Sequence, residues 1–257
     1  MAVTLVADRL SMQATSFELR YRFWILLALF VLGFLAPWNY VLHLDGAGPN
    51  THLWGQLAIQ LSRAGMNISA AFNAILAAGI VLAFAGAALC TWASAYAGPQ
   101  LLHSTAVDRD TLAADGPYRF LRNPLTLGSW LNALALALLM PFTGAIFALV
   151  LLILFQLRLM LAEEAQLSAQ FGQTYASYCA RVPRFLPVPR SGITASGMHA
   201  RWGHAALAEI FLWGTAISFA AFGWQYNAHL LIQCVLVSLG AALIARGVTM
   251  PSAAPVQ

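Results

Sequence analysis

Long apolar runs alternate with short polar segments along this chain. The runs lie near residues 23–42, 70–97, 125–140, 142–162, 204–222 and 229–245. About 20 apolar residues in a helix cross the hydrocarbon core of a bilayer. The pattern therefore predicts an all-α, polytopic transmembrane helical bundle of about six spans. Between the first two runs, a short interfacial helix is predicted near Leu53 to Leu61.

The third and fourth runs are separated by a short turn at Met140, Pro141 and Phe142. A proline favours a break in the helix before it, and a short turn between two helices favours antiparallel packing. We expect a hairpin whose two polar ends lie on the same side of the membrane. This hairpin would bring two polar segments, near 115–128 and 163–187, to a pocket at one membrane face.

The composition supports a membrane protein. Of the 257 residues, 60% are hydrophobic and only 9% are charged, and the mean hydropathy is +0.72. An ordinary soluble domain is far less apolar. We expect one integral membrane domain over 1–257, made of N-terminal helices and loops (1–114), a core (115–190), a C-terminal helix pair (191–249) and a tail (250–257).

The basic residues, all arginines, set the expected orientation. Basic residues favour the cytoplasmic side. A cytoplasmic N-terminus leaves Arg63 outside and places Arg158 in the inner part of the fourth span. We expect an integral membrane protein of the bacterial inner membrane with both termini cytoplasmic. The arginines that would then lie inside are Arg9, Arg20, Arg22, Arg109, Arg119, Arg122, Arg181, Arg184, Arg190, Arg201 and Arg246.

The net charge of +4 is explained by arginines that face anionic lipid headgroups, so no nucleic-acid partner is expected. Cys90, Cys179 and Cys234 lack pairable or metal-like spacing, and His199 and His204 are five residues apart, on different helix faces. We expect no metal site. The histidines are interpreted as residues of the membrane interface.

The first polar segment begins with a predicted turn. Asp115-Gly116-Pro117 combines a residue tolerant of positive φ with a proline suited to a helix start. Asn123 precedes Pro124 and either caps the next helix or contacts a ligand, or does both. Arg119 and Arg122 are three apart, so they either anchor lipid headgroups or hold an anion from one helix face.

The second polar segment starts with Glu163 and Glu164. Neighbouring helix positions point about 100° apart, so one glutamate is expected to face the pocket and the other the scaffold. Arg158 lies inside an apolar stretch, where it either snorkels to the interface or serves function, and its partner must come from elsewhere in the chain. A packing stripe and an extended, proline-containing tail that forms a lid are predicted beyond the glutamates. The stripe comprises Leu167, Phe171, Tyr175, Tyr178 and Val182, and the tail runs from Arg181 to Pro187.

These motifs resemble a known family. Gly116-Pro117-Tyr118-Arg119, Arg122-Asn123-Pro124 with Gly128, Glu163-Glu164, and Phe171-Gly172 with the tail are similar to the signature of isoprenylcysteine carboxyl methyltransferases and the related phospholipid methyltransferases. The resemblance covers about residues 115–188. It implies S-adenosylmethionine at the cytoplasmic face and a lipophilic acceptor that enters from the bilayer. The implied cofactor contacts are Tyr118, Arg122, Asn123, Gly128, Glu163, Glu164 and Arg181.

Two departures from the family pattern concern the acceptor. Many members carry His at the position of Asn123 and Tyr at the position of Thr126. We expect Arg158 to act in catalysis by orienting an acidic acceptor. The sequence leaves open the acceptor's identity, whether O-, N- or S-methylation occurs, and the oligomeric state.

Two other functions compete with methyl transfer. The region around Phe171-Gly172, Tyr175, Tyr178 and Val182-Pro183 also resembles NADPH-dependent membrane reductases of the sterol type, although the first polar segment favours the methyltransferases. Alternatively, the chain is a non-catalytic lipid-binding membrane protein whose arginines hold headgroups. Binding of the two cofactors, and mutation of the charged residues, separates these classes.

Overall fold

The computed structural model describes residues 13–35, 52–97, 114–188, 193, 195 and 197–249. This part of the chain is helical, with one isolated bridge between His52 and Pro141 and no strand. The all-α prediction is confirmed. The α-helices are α1 (Ser16–Arg20), α2 (Arg22–Leu35), α3 (Leu53–Arg63), α4 (Ile68–Tyr96), α5 (Pro124–Ala137), α6 (Phe142–Arg181), α7 (Trp202–Ala208), α8 (Ile210–Phe222) and α9 (Ala228–Thr249).

Every predicted apolar run contains a helix, but six spans are not established. Within the described ranges, α4, α6 and α9 are long and apolar enough to cross a membrane. The pair α7 and α8 adds a fourth span if it is counted as one, and its two helices are bent by 68°. Helices α2 and α5 are shorter, with 14 residues each. Residues 36–42 of the first predicted run lie outside the described residues.

Small residues bring the long helices close together. A Cβ atom at Gly128 of α5 would lie 2.5 Å from Cys90 Sγ and 3.0 Å from the Gly86 carbonyl oxygen, both on α4. Gly33 of α2 and Gly144 of α6 meet in the same way. Such small residues allow helix backbones to approach closely in a membrane, where van der Waals packing drives association.

The hairpin of α5 and α6 is confirmed, and α3 caps its turn. The backbone N–H groups of Leu53 and Trp54 donate to the carbonyls of Met140 and Leu138, at 2.8 and 3.0 Å. His52 Nδ1 lies 2.6 Å from the Leu139 carbonyl oxygen. The short helix predicted in this part of the chain therefore exists and is tied to the turn at the end opposite the polar segments.

The largest core cluster joins α3, α4, α5, α8 and α9. Leu76, Leu136, Phe219 and Leu231 are all buried there. The first polar segment lies between α4 and α5, and the second begins within the C-terminal part of α6, so this helical core holds both in place.

Several expectations concern residues that the structure does not describe. Arg9, Arg109 and Arg190, His43 and His103, and the tail 250–257 all lie outside the described residues. The proposed division of the chain and its orientation in the membrane stay predictions.

Candidate functional site

The two polar segments are joined by backbone and side-chain hydrogen bonds. Gly116 has a positive φ of 56° and begins a 3-10 helix, Gly116–Arg119, with Pro117 in its first turn, as predicted. The Tyr178 hydroxyl donates to the Tyr118 carbonyl at 2.7 Å. The Arg122 N–H donates to the Pro183 carbonyl at 2.9 Å. The tail after α6 therefore leaves the helix and packs on the first segment.

The Tyr118 side chain is buried, and burial raises the pKa of its phenol above the usual value. A phenol in this environment stays neutral at physiological pH. Within the site, Tyr118 therefore contributes shape and a neutral hydroxyl rather than a charge.

Glu164 is the centre of the polar cluster. Its carboxylate accepts hydrogen bonds from Arg122 Nη1 at 3.4 Å, from Asn123 Nδ2 at 3.2 Å and from Arg184 Nη2 at 2.8 Å. The Glu164 side chain is only 12% exposed, whereas that of Arg184 is 42% exposed. We call these four residues the Glu164 cluster. Two guanidinium groups and one carboxylate give it an excess positive charge, which favours an anionic group nearby.

One polar atom of the cluster is unpaired. Arg122 Nε is buried and has no hydrogen-bond partner among the described residues, while Nη1 also contacts Cys179 Sγ at 3.1 Å. Buried N–H groups are almost always hydrogen-bonded, because leaving one unpaired costs about 1 to 3 kcal/mol. The Arg122 Nε–H group therefore indicates that a hydrogen-bond acceptor from a ligand binds at this site.

Asn123 occupies the N-cap position of α5 but its side chain makes no capping hydrogen bond. Asn123 therefore occupies the predicted N-cap position, but its side chain does not form the expected cap. The Asn123 Nδ2 group donates to the largely buried Glu164 carboxylate across the hairpin, and a charged acceptor makes this a strong hydrogen bond. A contact between Asn123 and a ligand stays a prediction.

Glu163 points away from the cluster. It lies 3.5 Å from Arg22 at the start of α2, and its side chain is 48% exposed. The two adjacent glutamates thus have different partners, Glu164 in the cluster and Glu163 at α2, and which of them faces a ligand pocket stays a prediction. Whether Glu163 also contacts a cofactor stays a prediction.

Arg158 finds its partner in the N-terminal segment. Its Nε and Nη2 donate to the two carboxylate oxygens of Glu18, at 3.0 and 2.9 Å, and Nη2 also donates to the Gln13 carbonyl. Hydrogen bonds from Arg158 and from the Thr15 N–H lower the pKa of Glu18 to about 2. The partner from another part of the chain is confirmed, and the catalytic role of Arg158 stays a prediction.

The remaining predicted residues occupy different surroundings. Gly128 lies at the contact between α4 and α5, and Arg181 is exposed at the end of α6. Arg119 donates to the Ile193 carbonyl at 3.1 and 2.8 Å and so holds the chain that precedes α7. Arg119 and Arg122 have different partners, so the two guanidinium groups do not bind one anion together as the sequence suggested.

The packing stripe is confirmed. Tyr175, Tyr178 and Val182 are buried with Ala114, and Leu167 and Phe171 pack against them. The stripe continues through an interruption at Gly172, which has φ 50° and ψ −120°. A glycine adopts this left-handed conformation without the strain that a side chain brings.

Three charged residues of these sites were not predicted from sequence. Arg184 completes the Glu164 cluster, Glu18 pairs with Arg158, and Glu209 accepts from the Ser94 hydroxyl at 2.6 Å. Arg184 lies in the tail that was predicted to cover the pocket, so its place near the site could have been predicted from the sequence. Glu18 was detectable only as an acid near the start of the first apolar run, and Glu209 as the charge at the break between α7 and α8.

A largely apolar cavity of about 420 Å³ lies within the helix bundle. It is lined by apolar side chains of α2, α5, α6, α8 and α9, together with four polar ones: Ser129, Asn132, Gln156 and Glu209. Its position beside α5 and α6 places it along the same hairpin that carries the Glu164 cluster.

No group of three His, Cys, Asp or Glu side chains suited to a metal ion occurs in the part of the chain that the structure describes. The expectation of a metal-free protein stays a prediction, because the undescribed residues include histidines and aspartates.

Comparison with known proteins supports the family resemblance. The family model described as phospholipid methyltransferase matches residues 74–174. The match includes Tyr118, the start of α5, Arg158 and both glutamates, and it ends before Arg181 and Arg184. No curated protein and no solved structure matches the chain. Residues 74–174 of this apolar helical chain are therefore similar to the phospholipid methyltransferase family, which belongs to the wider group that includes the isoprenylcysteine carboxyl methyltransferases.

Proposed function

We propose that the protein is an S-adenosylmethionine-dependent membrane methyltransferase that methylates a lipophilic acceptor, with isoprenylcysteine carboxyl O-methyltransferase as the reaction it most resembles. The family match supports an enzyme that transfers methyl groups to a lipid-type substrate. The cofactor and the class of acceptor are our proposals.

The Glu164 cluster carries the proposal. It is built from both polar segments, lies within or next to the family match, and combines a buried carboxylate with two guanidinium groups. S-adenosylmethionine presents a carboxylate, an ammonium group and ribose hydroxyls. Arginines suit the carboxylate, whereas a glutamate suits the ammonium or the hydroxyls.

Two observations agree with a ligand of this chemistry. The buried Arg122 Nε lacks a partner among the described residues, and an incoming carboxylate would supply an acceptor. Arg184 is the most exposed member of the cluster and follows Pro183 in the non-helical tail. It is therefore the member that would move when a ligand hydroxyl or ammonium takes its place on Glu164.

The bound cofactor would supply a methyl group on a sulfonium sulfur, and transfer breaks the C–S bond as the acceptor's lone pair forms the new bond to carbon. The chain's residues position this reaction. Arg122 and Asn123 hold Glu164, and the tail packed over Phe120 and Arg122 limits access of water. Tyr118, Gly128, Glu163 and Arg181 are proposed as further cofactor contacts.

Arg158 is proposed to orient an acidic acceptor. The Glu18 carboxylate already binds the Arg158 guanidinium group, so an acidic group of the acceptor would have to compete with Glu18 for it. If Arg158→Ala keeps normal acceptor affinity and turnover, this role is wrong.

Calorimetric titration of the detergent-purified protein with S-adenosylhomocysteine tests the proposal. We expect binding by the wild type and a loss of about 1 to 3 kcal/mol for Glu164→Gln and for Arg122→Ala, because each removes a charged contact. Arg63→Gln is the control, since it removes an exposed arginine at the far end of α3.

NADPH serves as the parallel ligand. If NADPH binds and S-adenosylhomocysteine does not, the protein is a membrane reductase rather than a methyltransferase. If neither ligand binds and the cluster variants behave like Arg63→Gln, a non-catalytic lipid-binding function replaces the proposal.

A further inference from the structure

The cavity contains two buried polar atoms without partners. Asn132 is 2% exposed, and its Nδ2 has no hydrogen-bond partner among the described residues. The same holds for the buried Oε1 atom of Gln156. Both residues line the cavity. An unpaired buried polar group destabilises a protein, and such groups are almost always hydrogen-bonded, so two within one largely apolar cavity indicate a bound partner.

The two residues lie at similar depth in the hairpin. Asn132 is nine residues after Asn123 on α5, and Gln156 is eight residues before Glu164 on the antiparallel α6. At 1.5 Å per residue, each lies roughly 12 to 14 Å from the Glu164 cluster along its helix. Neighbouring turns place Ser129 and Leu136 beside Asn132, and Leu152 beside Gln156, along the cavity wall.

The other polar groups of the wall already have partners. The Ser129 hydroxyl donates to the Leu125 carbonyl at 2.8 Å. Glu209 accepts from the Ser94 hydroxyl at 2.6 Å, on the side of α4. Among the described residues, the buried cavity-lining atoms without a hydrogen-bond partner are therefore one donor, Asn132 Nδ2, and one acceptor, Gln156 Oε1.

A hydroxyl group satisfies both atoms, because it accepts one hydrogen bond and donates another. An ammonium group has no acceptor for the Asn132 N–H, a carboxylate has no donor for Gln156, and a pure hydrocarbon has neither. Apart from Ser129 and Glu209, the rest of the cavity lining is apolar, and the volume of about 420 Å³ falls in the size range of small-molecule sites.

We propose that this cavity binds a long-chain lipid with an uncharged hydroxyl group, held between Asn132 Nδ2 and Gln156 Oε1. This proposal goes beyond the proposed function, and the binding of the lipid stands independently of it. The cavity then selects the lipid by its neutral polar end, while the Glu164 cluster serves the cofactor.

The test uses the full-length protein in lipid nanodiscs and a dodecanol that carries a diazirine and an alkyne. Photolabelled peptides are identified by mass spectrometry. We expect labels on cavity residues, and competition by 1-dodecanol at concentrations roughly fivefold or more below those of dodecane and dodecylammonium, since one hydrogen bond contributes about 1 kcal/mol.

Asn132→Leu and Gln156→Leu should each lower labelling roughly fivefold. Removing an unpaired buried polar group should also leave the unfolding midpoint unchanged or higher, which a structural amide would not do. Thr215→Val is the matched control, because Thr215 is buried but its hydroxyl already bonds the Phe211 carbonyl within α8.

Equal competition by dodecane, or stronger competition by dodecylammonium, would overturn the hydroxyl assignment in the wild type alone, whatever the variants do. S-adenosylhomocysteine titration is run on the same samples. Dodecanol binding without cofactor binding supports the cavity and rejects the proposed function, whereas cofactor binding without selective dodecanol binding rejects the cavity.

Discussion

At the scale of single residues, the contact between Gly86 and Gly128 decides how close α4 and α5 lie. A Cβ at Gly86 would be 2.7 Å from the Gly128 carbonyl oxygen, and a Cβ at Gly128 would be 2.5 Å from Cys90 Sγ. At either distance the added Cβ would overlap its neighbour, so one of the two helices or the neighbouring side chain would have to shift. Since α5 carries Asn123 at its start, this contact also positions the Glu164 cluster.

Gly128→Ala should therefore destabilise the protein by about 1 to 3 kcal/mol, the usual cost of overpacking a tight core. The measurement is the thermal unfolding midpoint in detergent. Gly55→Ala on α3 is the control: its Cβ would meet nothing within 4 Å, so alanine should stabilise the helix by roughly 0.5 to 1 kcal/mol.

Adding Cys90→Ala to Gly128→Ala should restore part of the loss, because the sulfur is the nearest obstacle. Additive losses in the double variant would show that the close approach of Gly128 to Cys90 does not limit the packing.

At the scale of elements, the short helix α1 is fastened to α6 by one ion pair. Thr15 caps α1 and shares a capping box with Glu18, and the same Glu18 carboxylate binds Arg158. A second contact, Arg22 with Glu163, lies where α2 begins. The N-terminal segment thus packs beside the two glutamates of the second polar segment.

This fastening should depend on pH. The pKa of Glu18 is lowered to about 2 from an ordinary 4.5, so its stabilising effect is fully present above about pH 4.5 and is lost as the pH falls through about 2. For a partly exposed pair we expect on the order of 1 kcal/mol. Unfolding midpoints of the wild type should fall faster over this pH range than those of Glu18→Gln.

Glu163→Gln is the control at the neighbouring contact, because it leaves the Glu18 to Arg158 pair in place. The unfolding midpoint of Glu163→Gln should still fall as Glu18 is protonated, as it does in the wild type, whereas that of Glu18→Gln should lack this fall. Parallel curves for the wild type and Glu18→Gln would contradict the assignment of that component to Glu18.

At the scale of the whole molecule, the arrangement of arginines and the hairpin predict opposite faces for its two ends. The turn after α5 and the helix α3 lie at one end, while the polar segments lie at the other. The positive-inside rule predicts Arg63 on the outer face and the Glu164 cluster on the cytoplasmic face.

Labelling with a membrane-impermeant maleimide tests this topology in intact bacterial cells. In a background without the three native cysteines, Ala64→Cys should react before lysis and Gln173→Cys only after it, since both positions are exposed. The reverse order would invert the orientation, and equal reactivity before lysis would place both ends on one side.

The amino-acid sequence alone was enough to predict the helical class, the hairpin, the short helix α3, the pairing of the two polar segments and the resemblance to membrane methyltransferases. These follow from local causes: apolar run length, prolines that end helices, and motifs that are contiguous in the chain. A membrane makes such predictions easier, because backbone N–H and C=O groups in lipid must form their hydrogen bonds within helices.

Which polar groups meet became clear only from the packed helices. Arg184 rather than Arg181 completes the Glu164 cluster, Glu18 takes Arg158, and Asn123 turns to Glu164 rather than capping α5. The sequence also did not reveal that Asn132 Nδ2 and Gln156 Oε1 lie in one cavity without hydrogen-bond partners among the described residues. Side-chain partners depend on the rotation, depth and close approach of helices that are distant in the chain, and no local pattern specifies those quantities.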